Sequence, residues 1–175
     1  MSDTPVSPAA KGLAVSAIIV IYSIVITKMG QLANPDLAIV PFGILLVAVV
    51  LGDLYFAKQM GGKADFKSIF IHGFKMAALV GAVIGLWVAL SLKFNFFGVL
   101  DQALESARKL LEKSGTMDKV EIEEHLAGYK NGTGPMSAIM NVVGYLFVGA
   151  IGSLIGAVFA NKNDGVSVKK NEKGK

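Results

Sequence analysis

Asp53, His72 and Lys75 are the residues of this chain whose types and spacing best suit them to chemistry. Asp53 is the one acid that falls inside a long apolar window, and ionisable groups at membrane depth are costly enough to be functional when they occur. His72 and Lys75 are three residues apart in another such window, which sets them on one helical face at one level. The three could meet as a polar cluster at one mouth of a helical bundle. The simpler expectation for Asp53 is a solvated or lysine-paired interfacial carboxylate, since it stands five residues before Lys58, where its window ends.

Other constellations are weaker. Glu121, Glu124 and His125 have helical spacing, but the chain holds only two histidines, and a zinc site needs three or four converging ligands. A solvated acidic face is the expectation there, with no metal and no cofactor. Asn131-Gly132-Thr133 matches a glycosylation sequon, which matters only in a secretory pathway. Trp87 reads as a packed aromatic in mid-span. No GxSxG, phosphate loop or HExxH is present, so nothing supports hydrolysis or group transfer. The absence of cysteine removes disulfides, thiolate nucleophiles and Cys-based metal sites.

The elements that must position these residues are membrane helices. Hydrophobic residues make up 53% of the 175 and charged residues 17%, against roughly 45–50% and 25% in soluble domains. The charges gather in the tails and in two connecting segments. Between them the pattern predicts an all-α, integral membrane four-helix bundle with spans at 12–33, 37–57, 69–92 and 136–160, forming one domain over 12–160. Span one reads as an uncleaved anchor rather than a signal peptide. Asn34-Pro35-Asp36 makes a tight turn into span two, with Pro41 tolerated in its first turn. Tyr55 and Phe56 suit an interfacial belt, and Ser68 is a candidate cap for span three.

Residues 93–135 form the one sizeable connection. Leu100, Leu104, Ala107, Leu110 and Leu111 give an amphipathic stripe that Gly115 should end. A second helix should start near Asp118, with Glu121 completing a capping box, and stop at Gly128 and the Asn131–Gly134 turn. With four spans, residues 1–11, the 58–75 segment and the tail 161–175 share one side. That side carries ten of the 17 basic residues. Basic residues near span ends favour the cytoplasm, so both termini are expected there and the 93–135 loop outside. The five lysines of the last 14 residues suit an anionic lipid surface rather than nucleic acid.

Small residues recur every fourth position in span three (Ala77, Gly81, Gly85, Ala89). Span four has two such lines, Gly149-Ser153-Ala157 and Gly152-Gly156-Ala160. In lipid, small residues let helix backbones approach closely. These seams are expected to pack span three on span four, with homodimerisation or a partner's helix as the alternatives.

The run FKMAALVGAVIGLWVALSLKFNFFGVLDQALESARKLLEKSGTMDKVEIEEHL, with PMSAIMNVVGYLFVGAIGSLIGAVFANK after it, resembles the bacterial domain of unknown function 4199 family of small four-span membrane proteins. The resemblance covers nearly the whole chain and rests on layout: two close spans, a third, an acidic helical loop from Asp101, a glycine-rich fourth span and a lysine tail. It implies a bacterial inner-membrane location and no known activity.

Three functions compete at this level. The first is a non-enzymatic packing, assembly or accessory component of the membrane, alone, as a homo-oligomer or in a larger complex. The second is a small transporter or channel subunit, which could not use a buried acid in span one because that span offers only Ser16, Ser23 and Thr27. The third, an enzyme acting through Asp53, His72 and Lys75, is disfavoured by the lack of any catalytic motif.

Overall fold

Caps and prolines decide where each helix starts. The structure, a computed structural model, describes residues 6–61 and 63–172, with the backbone alone for 129, 131–135 and 162–172. Helix α1 (Pro8–Lys28) begins at Pro8 rather than at Gly12. Ser7 is extended and its hydroxyl accepts the Ala10 N–H at 3.2 Å, while Pro8 supplies a preset φ at the first helical position. Lys11 is therefore in the helix and not in a tail. The far end stops at Lys28, short of Ala33, where Gly30 takes a left-handed φ of 67°.

Span two is two helices, α2 (Pro35–Ala38) and α3 (Val40–Gln59). The break follows from Pro41, which has no N–H to offer the carbonyl four residues back. That carbonyl belongs to Leu37, and the Tyr22 hydroxyl of α1 donates to it at 2.9 Å. Helix α4 (Phe66–Lys93) is capped by Asp65, not Ser68. The Asp65 carboxylate accepts the Ser68 N–H at 2.9 Å, so Ser68 occupies the first turn.

Beyond Lys93 the chain reverses through left-handed Asn95, Phe97 and Gly98. Asn95 holds this reversal: its carbonyl oxygen accepts the Leu100 N–H at 2.9 Å and its amide donates to Asp101 at 2.8 Å. Helix α5 (Val99–Ser114) ends on Gly115 at φ 64°. Asp118 and Glu121 form the expected capping box, with the Asp118 carboxylate accepting the Glu121 N–H and the Glu121 carboxylate accepting the Asp118 N–H, each at 2.9 Å.

The helix that starts there, α6 (Lys119–Glu172), does not stop at Gly128 or at the Asn131–Gly134 turn, as the sequence suggested. It runs unbroken into span four, whose apolar segment is Met136–Asn161. Once a helix is nucleated at both flanks, propagation across the intervening stretch adds a hydrogen bond for each residue fixed except Pro135, which has no N–H to give. The sequon side chains and the 173–175 end of the tail lie outside the described residues.

Four helical segments are thus long and apolar enough to cross a membrane: Pro8–Lys28, Pro35–Gln59, Phe66–Lys93 and Met136–Asn161. Their outer faces carry bulky apolar side chains such as Leu13, Ile18, Val47, Leu86 and Phe147, as a bilayer requires. The most extensive contact is α4 on α6, then α3 on α6, then α1 on α4. Val15, Ile19, Leu45, Val49, Met76 and Val80 make the central core.

The small-residue lines divide their work. Gly149 packs on Ala77, and Gly81 and Gly85 lie against Tyr145 and Val142, which is the expected seam between spans three and four. Ala89, at the end of the line in span three, is only half-buried. The second line of span four turns elsewhere: Gly152 faces Val49 and Gly156 faces Asp53, so it packs on span two.

Candidate functional site

One end of the bundle gathers ionisable side chains from three spans. Asp53 is fully buried at 0% exposure and His72 is 4% exposed, which overturns the expectation of a solvated interfacial carboxylate. His72 Nδ1 lies 2.9 Å from Asp53 Oδ1. On the other side of the ring, Lys11 Nζ approaches Nε2 at 3.4 Å and donates to the Gly52 carbonyl at 3.3 Å. The ring itself is stacked on Phe56, with centroids 4.4 Å apart and planes 9° off parallel. Phe56 has therefore turned into the bundle, while Tyr55 stays on the surface and sits under the Lys11 ammonium, 5.2 Å from ring centroid to nitrogen.

Lys75 is not part of the cluster. It is exposed, because three residues of an α-helix cover about 300°, enough to carry one side chain out of the bundle when the other is at its centre. The cation comes from Lys11 instead, three residues into α1. The sequence signal for it was available: a lysine on the apolar side of a Ser-Pro helix start belongs to the first span, not to the tail ahead of it.

Helix-packing glycines make the seat for the carboxylate. A Cβ on Gly73 of α4 would stand 2.7 Å from both Asp53 Oδ1 and Ser153 Oγ, and a Cβ on Gly156 of α6 would stand 2.7 Å from Asp53 Cβ. Asp53 is wedged between two backbones that only glycine allows this close. Ser153, also fully buried, donates to its own helix at the Gly149 carbonyl, 2.8 Å away. Asp53 Oδ2 is left buried with no hydrogen-bond partner among the described residues.

With Lys11 as an ammonium, which only donates, Nε2 is the acceptor and Nδ1 the N–H that faces the Asp53 carboxylate. The ring joins a partly exposed cation to a fully buried anion, and both its nitrogens are engaged.

Glu121, Glu124 and His125 do not join in this chemistry. All three are exposed on α6, and Glu121 is committed to its capping box. Among the described residues no three His, Cys, Asp or Glu side chains are grouped to hold a metal ion.

Four apolar spans, a buried ionic cluster and a long amphipathic connection define a polytopic, all-helical membrane protein. The family model described as protein of unknown function (DUF4199) matches residues 11–162, and the chain belongs to that family. Neither a curated protein nor a solved structure matches it.

Proposed function

We propose that the protein is a small proton-linked transporter or channel subunit in which Lys11, His72 and Asp53 carry the proton. The observation behind this reading is a fully buried carboxylate joined through one imidazole to a lysine that still touches the surface. An imidazole with a different partner on each nitrogen works as a two-ended relay. A proton can leave the Lys11 ammonium for Nε2 while the Nδ1 proton passes to Asp53 Oδ1. The ion pair then becomes three neutral groups, which the apolar interior tolerates far better than charges. The reverse hop restores the pair.

The acid that serves this relay stands in span two, so it escapes the objection that span one carries none. Engagement of both His72 nitrogens favours proton carriage over catalysis on a bound substrate. A bacterial inner-membrane location with both termini in the cytoplasm, and so with Lys11 at the cytoplasmic mouth, completes the reading; the ten-to-seven division of basic residues supports it.

The test is proton flux into vesicles carrying the purified protein and a trapped pH dye, driven by a potassium diffusion potential. Wild type should acidify the lumen faster than empty vesicles, and Asp53→Asn and His72→Phe should fall to the empty-vesicle rate. Wild-type flux no greater than that of empty vesicles refutes the reading. A second reading, an accessory part of a larger membrane assembly, draws on the α5–α6 connection, where Leu110 and Val120 are 70% and 67% exposed outside the spans. Co-purification after gentle solubilisation, lost in Leu110→Glu, would favour it.

A further inference from the structure

At the opposite end of the bundle a cavity of about 270 Å³ lies between the four spans. Trp87, Phe42, Tyr145 and Phe97 give it aromatic walls, and Val99 and Ala103 of α5 form part of its lining. Among the described residues no Asp, Glu, Lys, Arg or His side chain lines it. One of its polar groups without a hydrogen-bond partner is Ser91. That residue is 2% exposed, and its hydroxyl has no hydrogen-bond partner among the described residues. Three other buried hydroxyls of the spans, Ser16, Thr27 and Ser153, each donate to the carbonyl four residues earlier. Ser91, free to do the same to Trp87, does not.

We infer that this cavity is a binding site for a neutral, flat aromatic molecule of roughly ten to fifteen non-hydrogen atoms that bears one hydrogen-bonding group. The size follows from the volume, since a cavity of about 150 Å³ holds one benzene and this one is nearly twice as large. Neutrality follows from a wall without a countercharge, because an unpaired buried charge costs too much to be retained. The aromatic rings favour a π-system by offset or edge-to-face packing, and the Ser91 hydroxyl satisfies one polar group of the ligand.

The approach to the site is built into the chain reversal before α5. Phe97 lines the cavity at a left-handed φ of 57°, strained for a bulky residue. Strain of this kind collects at ligand clamps. The α5 segment is latched over the end of span one by Gln102, whose amide donates to the Thr27 carbonyl at 2.8 Å. The site is independent of the proton-linked reading, since binding requires neither Asp53 nor a gradient.

Trp87 is the only tryptophan of the chain and lines the cavity, so it reports occupancy directly. The experiment titrates the full chain in lipid nanodiscs with 1-aminoanthracene, three fused rings with one neutral amine, against empty nanodiscs. Saturable binding with quenching of Trp87 is expected. Ser91→Ala should weaken it about fivefold, the worth of one hydrogen bond, and Ala103→Phe, outside the spans, should abolish it. Asp53→Asn should leave it unchanged, and 1-naphthol should compete where naphthalene-1-sulfonate does not. Signal that only rises linearly with probe, as in empty nanodiscs, overturns the proposal. So does saturable binding unaltered in folded Ala103→Phe, or a co-purified lipid chain that 1-aminoanthracene does not displace.

Discussion

At the end where α1 begins, the bundle draws three ionisable side chains from three spans into contact, whereas at its other end the same spans border a cavity whose wall, among the described residues, carries no charge. The charged end is tight. Glycines at 73 and 156 let two backbones close on Asp53, and an aromatic ring flattens His72 from the side. The uncharged end is loose, walled by large rings and covered by a helix hung from a strained reversal. In lipid no hydrophobic gain drives helices together, so an interior must be assembled by close packing or by polar partners. This protein spends small residues and paired charges at one end and leaves room at the other.

The contrast can be broken most severely at the charged end. His72→Leu leaves Asp53 and Lys11 without their bridge, and loss of one member of a buried ionic group costs about 3–5 kcal/mol. Reversible unfolding in mixed micelles should show that loss, and Asp53→Asn in the same chain should restore much of it. Midway along the bundle, Gly149→Leu forces a side chain into Ala77 and should cost about 1–3 kcal/mol. Gly43→Leu, with no atom near the added carbon, should leave the same unfolding curve in place.

Nearer the cavity the effects should shrink. Tyr22→Phe removes the donor that satisfies Leu37 beside Pro41, a loss of about 1 kcal/mol in the same assay. Smallest of all should be the pH response at the exposed cap of α4. The Ser68 hydroxyl and amide beside Asp65 hold its carboxyl below the ordinary value of 3.8. A carboxyl lowered on folding adds stability that is present above that ordinary value and is lost as pH falls through the lower, folded one. Asp65→Asn should therefore keep the cap and flatten the acid limb of a melting-temperature profile between pH 5 and pH 2, a range in which wild type falls slightly further.

Much of this architecture is legible in the sequence because membrane helices announce themselves by length. Gly115, Asp118 and Glu121 ended and started helices where their types said they should. The seam at Gly81, Gly85 and Gly149 was equally readable, because spacing by four is a helix face. Other features depended on tertiary context. Asp53 sat near the end of its window, and linear position cannot tell a carboxylate facing headgroups from one facing the bundle axis. Lys11 looked like a flanking charge until Ser7 and Pro8 moved the helix start ahead of it. The Gly128–Pro135 stretch carried every local mark of a turn and is helical nonetheless, because its flanks are helical. Gly156 was visible as a small residue, but not that it makes space for a carboxylate.

The position of Lys11 also has a meaning in time. It leaves the ribosome 61 residues ahead of His72, the ring it meets in the finished bundle. At about 5–20 residues per second, span one waits roughly 3–12 s with a cation near its end before the ring that bridges it to Asp53 is made. Throughout that interval the long, flexible lysine stem can hold its ammonium among lipid headgroups. Only when span three arrives does a reason exist for the lysine to turn inward. Closure of the ionic cluster must thus follow the insertion of span three, and it marks the moment at which separately inserted helices become one object.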